Sequence, residues 1–63
     1  FTPLTQRELQ ITELINQNLT NKVIAEKLDI TEGGVKSHLR NIFGKLLVEN
    51  RQSVSLWYKQ NHQ

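Results

Sequence analysis

Apolar residues recur along this chain at spacings of three and four rather than two, the period of a helix that buries one face. Ile11, Leu14 and Ile15 form one such stripe, and Ile24, Ala25 and Leu28 a second. Val35, Leu39, Ile42 and Leu46 form a third, widened by Phe43, and Val54, Trp57 and Tyr58 a fourth. A residue able to cap exposed backbone N–H groups precedes each stripe: Thr5, Thr20, Thr31 and Asn50. Thr5-Gln6-Arg7-Glu8 reads as a capping box, with Leu4 as the hydrophobic staple before it. Asn18 stands where a left-handed residue would stop the first helix, and Asp29-Ile30 makes a tight connection. The pattern predicts helices over about 6–17, 21–28, 32–46 and 51–60, with connections of only a few residues. The expected fold is all-α, a four-helix bundle.

Its middle pair has the layout of a helix-turn-helix, a short helix and a longer one joined by a tight turn. Ala25 is the small residue that lets the two approach, and Ile30 fills the angle between them. On the third helix, at about 100° per residue, Gly33, Lys36, Ser37, Arg40 and Gly44 fall roughly opposite the apolar stripe. Long cations with small neighbours suit a helix that lies in the major groove, where Lys or Arg reaches phosphates or guanine O6 and N7.

Charge sharpens this picture through its distribution. The net charge is only +2, but residues 33–48 carry Lys36, Arg40 and Lys45 with no acid. Residues 1–30 carry Arg7, Lys22 and Lys27 against Glu8, Glu13, Glu26 and Asp29. A basic strip on one helix points to a polyanion. With no cysteine, and with His38 and His62 far apart, neither a disulfide framework nor a metal pair is expected, and no cofactor. No apolar run approaches the roughly 20 residues of a membrane span. A cytoplasmic setting without membrane association is expected. The chain of 63 residues suits a single domain over 1–63. It starts at Phe1 and contains no methionine, so it is expected to be a piece of a longer protein that carries the controlling signal elsewhere.

The adjacent Gly33 and Gly34 invite two readings. Missing side chains let backbone N–H groups and the helix dipole approach a phosphate, or the pair simply weakens the start of the helix. "GGVKS" echoes a nucleotide-binding loop only faintly, since the spacing GxxxxGK[ST] and a preceding strand are both missing. The carboxylates of Glu13, Glu26 and Asp29 accompany no nucleophile arrangement, so an enzyme is not expected. RNA binding lacks a stacking sheet or a clamping loop.

The runs "LTQRE", "LTNKVIAEKLDIT", "VKSHLRNIFGKL" and "ENR" keep the spacing of a known family. Over about residues 4–58 the chain resembles the LuxR/FixJ-type DNA-binding domain of bacterial transcription regulators. The resemblance implies sequence-specific binding of double-stranded DNA through the third helix. It also implies a homodimer formed through the last helix, with Val54, Trp57 and Tyr58 as core or dimer-face residues, and an N-terminal receiver or ligand-sensing domain beyond this chain. Lys36, Ser37 and Arg40 match its base-contacting positions. Asn21 and Lys22 match phosphate-contacting ones, which the helix starts at Thr20, Thr31, Gly33 and Gly34 would join. Glu8 and Arg51 match the family's usual pair, read as structural, with an ion pair between first and last helices as the expected form.

Four positions depart from that pattern. Gly34 replaces a usual threonine and Gly33 a usual polar residue, so part of the backbone anchoring is lost or passes to main-chain N–H groups. Leu47 replaces the glycine that normally ends the recognition helix, so a different or strained exit turn is expected. Thr12 replaces a leucine, trimming the core. These departures leave an alternative open: a helical protein-interaction module that keeps the fold with little DNA affinity. His38 sits beside the apolar stripe and is expected to pack at the helix edge.

Overall fold

A computed structural model describes residues 4–61; Phe1 and His62 lie outside them. It contains α1 (Gln6–Asn16), α2 (Asn21–Leu28), α3 (Glu32–Leu46) and α4 (Arg51–Asn61). The predicted boundaries hold to within one residue: Gln17 caps α1 instead of extending it, and α4 continues to Asn61. α1 packs chiefly on α4, and α2 on α3. Among the described residues, the buried apolar side chains are Ile11, Ile15, Ile24, Ala25, Val35, Leu39, Ile42 and Val54, drawn from all four helices. Each fully buried Ile or Val contributes about 1.5–3 kcal/mol relative to exposure, which explains how so short a chain holds together without a crosslink.

Every predicted cap forms. The Thr5 hydroxyl accepts from the Glu8 N–H at 3.2 Å while the Glu8 carboxylate accepts from the Thr5 N–H at 2.8 Å, completing the capping box. Thr20 accepts from the Val23 N–H (3.3 Å), Thr31 from the Gly34 N–H (3.0 Å) and Asn50 from the Ser53 N–H (2.8 Å). Leu4 packs on the core just before the first cap.

The helix ends share one device. Asn18, Asp29 and Leu47 all take positive φ (64°, 57° and 56°). The residue after each donates its N–H five positions back: Leu19 to Leu14, Ile30 to Ala25 and Val48 to Phe43. Leu19, Ile30 and Val48 then turn onto the core. This six-to-one bond with a following apolar contact is how helices commonly stop, normally around a glycine. Here no glycine serves it; all three glycines of the sequence lie within α3, and none has positive φ. Leu47 therefore keeps the backbone shape a glycine would take, so the expected departure in turn shape is not found. Strain is, because a non-glycine left-handed residue costs roughly 1–2 kcal/mol.

Thr12 trims the core without leaving a polar group orphaned. It is fully buried, and its hydroxyl donates to the Leu9 carbonyl at 2.7 Å.

Candidate nucleic-acid interface

The α2–α3 turn is Asp29, Ile30 and Thr31, which sets the two helices of the pair at a fixed angle. Ala25, 4% exposed, allows the close approach, and Ile30 lies against the core beneath the start of α3. Val35, Leu39 and Ile42 anchor α3 inward. Its other side is open: Gly33, Lys36, Ser37, Arg40, Asn41 and Gly44 are all exposed. Directly opposite the buried stripe stands Ser37, flanked by Gly33 and Gly44. Arg40 stands about 50° to one side of that pole and Asn41 about 50° to the other, while Lys36 stands about 90° away, at the edge of the face. Lys36, Ser37 and Arg40, the positions expected from the sequence, are exposed on this helix, and Asn41 is a further exposed position that the expectation did not include. Only its azimuth, the mirror image of that of Arg40, could have revealed it.

Lys45 does not belong to this face. Its ammonium donates to Glu8 Oε1 at 2.7 Å, tying the last turn of α3 to the first turn of α1. The predicted basic strip is corrected to two available cations, Lys36 and Arg40, because the third neutralises a carboxylate that is otherwise buried. Burial of Glu8 works against its ionisation. It is outweighed by hydrogen bonds from Lys45 and from the backbone and hydroxyl of Thr5, with the Lys45 charge adding to them. The carboxyl is held below its ordinary value, so Glu8 stays ionised at neutral pH.

The expected Glu8–Arg51 ion pair is not formed. The Arg51 guanidinium reaches the α1–α2 connection instead, donating from Nη1 to Asn21 Oδ1 and from Nη2 to the Leu19 carbonyl at 2.6 Å. Arg51 thus joins the start of α4 to the start of α2, where its planar fork satisfies a loop carbonyl as well as a side chain. Both residues are structural, as expected, but each has a different partner.

The phosphate-directed positions divide by availability. Lys22 is exposed at the start of α2, beside Thr20. Asn21 is half-buried, with its carbonyl oxygen occupied by Arg51 and its amide nitrogen the remaining polar group. Thr20 and Thr31 each accept a capping bond, which leaves each hydroxyl hydrogen as a donor. The Gly34 N–H is already bonded to Thr31, so of the glycine pair only Gly33 has an N–H without a bond among the described residues. Glu32 precedes it and is exposed, a favourable charge for the helix start but a repulsive one for a phosphate.

On α4, Val54 is fully buried in the core. Its assignment to a dimer face is corrected, since a side chain with no exposed surface has nothing to offer a second copy. Trp57 and Tyr58 are half-buried, and the outward apolar residue of this helix is Leu56, 56% exposed. His38 is half-buried at the edge of the α3 stripe. No helix of the described residues is long and apolar enough to cross a membrane.

The chain is similar to known bacterial regulators. The nitrate/nitrite response regulator protein NarL of Escherichia coli (strain K12) is 44% identical over 57 residues, covering 90% of this chain and 26% of its own length. The transcriptional regulatory protein LiaR of Bacillus subtilis (strain 168) is 46% identical over 59 residues, 94% of this chain and 28% of LiaR. The HTH-type transcriptional regulator MalT of Vibrio campbellii is 43% identical over 52 residues, 82% of this chain and 6% of MalT. The chain thus spans about a quarter or less of the length of these relatives. A family model described as bacterial regulatory proteins, luxR family, matches residues 2–58. With its capped helix pair and the open face of α3, this all-helical chain belongs to the luxR family of bacterial regulatory proteins, a DNA-binding domain of transcription regulation.

Proposed function

We propose that α3 enters the major groove and reads base edges with Lys36, Ser37 and Arg40, while Lys22, the Asn21 amide, the Thr20 and Thr31 hydroxyls and the Gly33 N–H hold phosphates. The observation that carries this reading is the exposed side of α3, where Arg40 and, at the edge of the face, Lys36 stand beside residues with small or no side chains, with no ion pair to either among the described residues. Phosphate contacts of this kind set register and orientation, and the groove-facing side chains supply sequence preference. The domain acts without enzymatic chemistry, in the bacterial cytoplasm, within a longer regulator whose receiver or ligand-sensing domain governs access to DNA. The relatives' greater length supports that last point.

Dimerisation through α4 completes the proposal, with Leu56 as the exposed apolar residue and Trp57 and Tyr58 beside it. Two copies would match half-sites about 10 base pairs apart. The test is selection from random duplexes by the wild-type chain and by Lys36→Ala and Arg40→Ala, at roughly 50 to 200 mM salt. A selected consensus in which either variant loses preference at a base position supports direct readout. If all three bind alike with no selected sequence at any salt, the reading is overturned in favour of a protein-interaction module.

A further inference from the structure

The sequence contains six asparagines, and five have an evident structural task. Asn16 Oδ1 accepts from the Ser55 hydroxyl at 3.1 Å, and Asn18 provides the left-handed stop of α1. Asn21 receives Arg51, Asn50 caps α4, and the Asn61 amide donates to the Trp57 carbonyl at 2.8 Å. Asn41 has no such task. It lies in the body of α3, exposed, and its amide makes no hydrogen bond among the described residues. Asparagine is a poor choice there for a helix alone, because its side chain competes for backbone groups.

We infer that Asn41 is a base-reading residue that selects an A·T pair and sets the preference at one position of the site beside that of Arg40. The inference rests on the reading of α3 as the major-groove helix. A carboxamide carries a donor and an acceptor side by side, the complement of adenine N6 and N7; guanine shows two acceptors there and can satisfy only half of it. The Arg40 guanidinium carries donors only and suits guanine. The two side chains on either side of the outward pole therefore distinguish different base pairs.

Asparagine is short, so its amide reaches a base only if the helix lies deep. The neighbours of Asn41 permit that: Ser37 stands one turn before it and Gly44 one turn after, both exposed. A Cβ added at Gly44 would meet no atom within 4 Å, so the missing side chain leaves open space on the groove side and serves no packing need.

The test is the same duplex selection run on wild type, Asn41→Ala and Arg40→Ala, each confirmed as folded by thermal melting. Asn41 is exposed and alanine is the better helix former, so loss of fold is not expected. The inference expects adenine at one position of the wild-type consensus, with Asn41→Ala losing that preference by roughly ten-fold while the other positions and the salt dependence stay as they were. An unchanged consensus in Asn41→Ala, with one position altered in Arg40→Ala, overturns the inference and leaves the groove-helix reading standing. Equal weakening on every duplex makes Asn41 a phosphate contact and overturns it too. No consensus in wild type overturns the groove-helix reading and this inference together.

Discussion

Lys45 in the last turn of α3 donates to Glu8 in the first turn of α1, closing 37 positions of chain at 2.7 Å. The same Glu8 oxygen accepts from the Thr5 N–H, so one carboxylate holds both the start of α1 and the end of α3. Glu8→Gln keeps the shape and removes the charge. At neutral pH it is expected to destabilise the fold by about 1–2 kcal/mol, discounted because Lys45 is partly exposed. Glu8 is held below the ordinary glutamate value of 4.5, so its contribution is fully present above that pH and is lost as pH falls through the lowered folded value. Urea melts of both proteins from neutral to acid pH should show a constant gap that narrows only below 4.5. A gap independent of pH would remove the carboxylate as its source.

Leu47→Gly should stabilise the protein. Leu47 is left-handed and 90% exposed, so glycine relieves the strain and forfeits little packing. The gain is reduced by the greater freedom of glycine in the unfolded chain, leaving roughly 0.5–1 kcal/mol. A lower melting temperature for the variant would mean that the leucine makes a contribution its exposure conceals.

Gly33→Ala and Gly34→Ala separate stability from binding. Neither glycine needs positive φ, and an added Cβ would lie 3.8 Å and 3.4 Å from the Thr31 hydroxyl, ordinary contact distances. Each alanine should add up to about 0.5–1 kcal/mol of stability, toward the low end in a first turn. Gly33 stands near the outward pole with its N–H available, whereas the Gly34 N–H already bonds Thr31. DNA affinity is therefore expected to fall for Gly33→Ala and to hold for Gly34→Ala. Tighter binding by both would show instead that the pair only loosens the helix.

Arg51→Ala should cost about 1–3 kcal/mol by releasing the Leu19 carbonyl and Asn21 together. Arg51→Lys should recover little, because an ammonium does not reproduce the two-pronged geometry. Hydrogen exchange at the start of α2 offers the sharper readout. Unchanged protection there would place the function of Arg51 elsewhere.

The helices were legible because their signals are local. A threonine or asparagine before an apolar stripe caps whatever follows it, and Thr5, Thr20, Thr31 and Asn50 all did so. Asn18 announced its left-handed turn by residue type, while Leu47 could not, since nothing in a leucine favours that conformation.

By itself, then, the sequence determined the four helices, their caps, the inward stripe of α3 and the outward set Lys36, Ser37 and Arg40, because periodicity and capping act over three or four residues. Only the tertiary structure decided which charges meet. Lys45 looked like part of the basic strip until the fold brought it to Glu8, and Arg51 looked like the partner of Glu8 until the packing of α4 set it beside Asn21 and Leu19. Val54, an apolar residue on a terminal helix, could have faced either the core or a second copy, and the packing of α4 on α1 buried it. Long-range pairing depends on helix crossing and azimuth, which are fixed when the shared core closes and leave no mark at any single position along the chain.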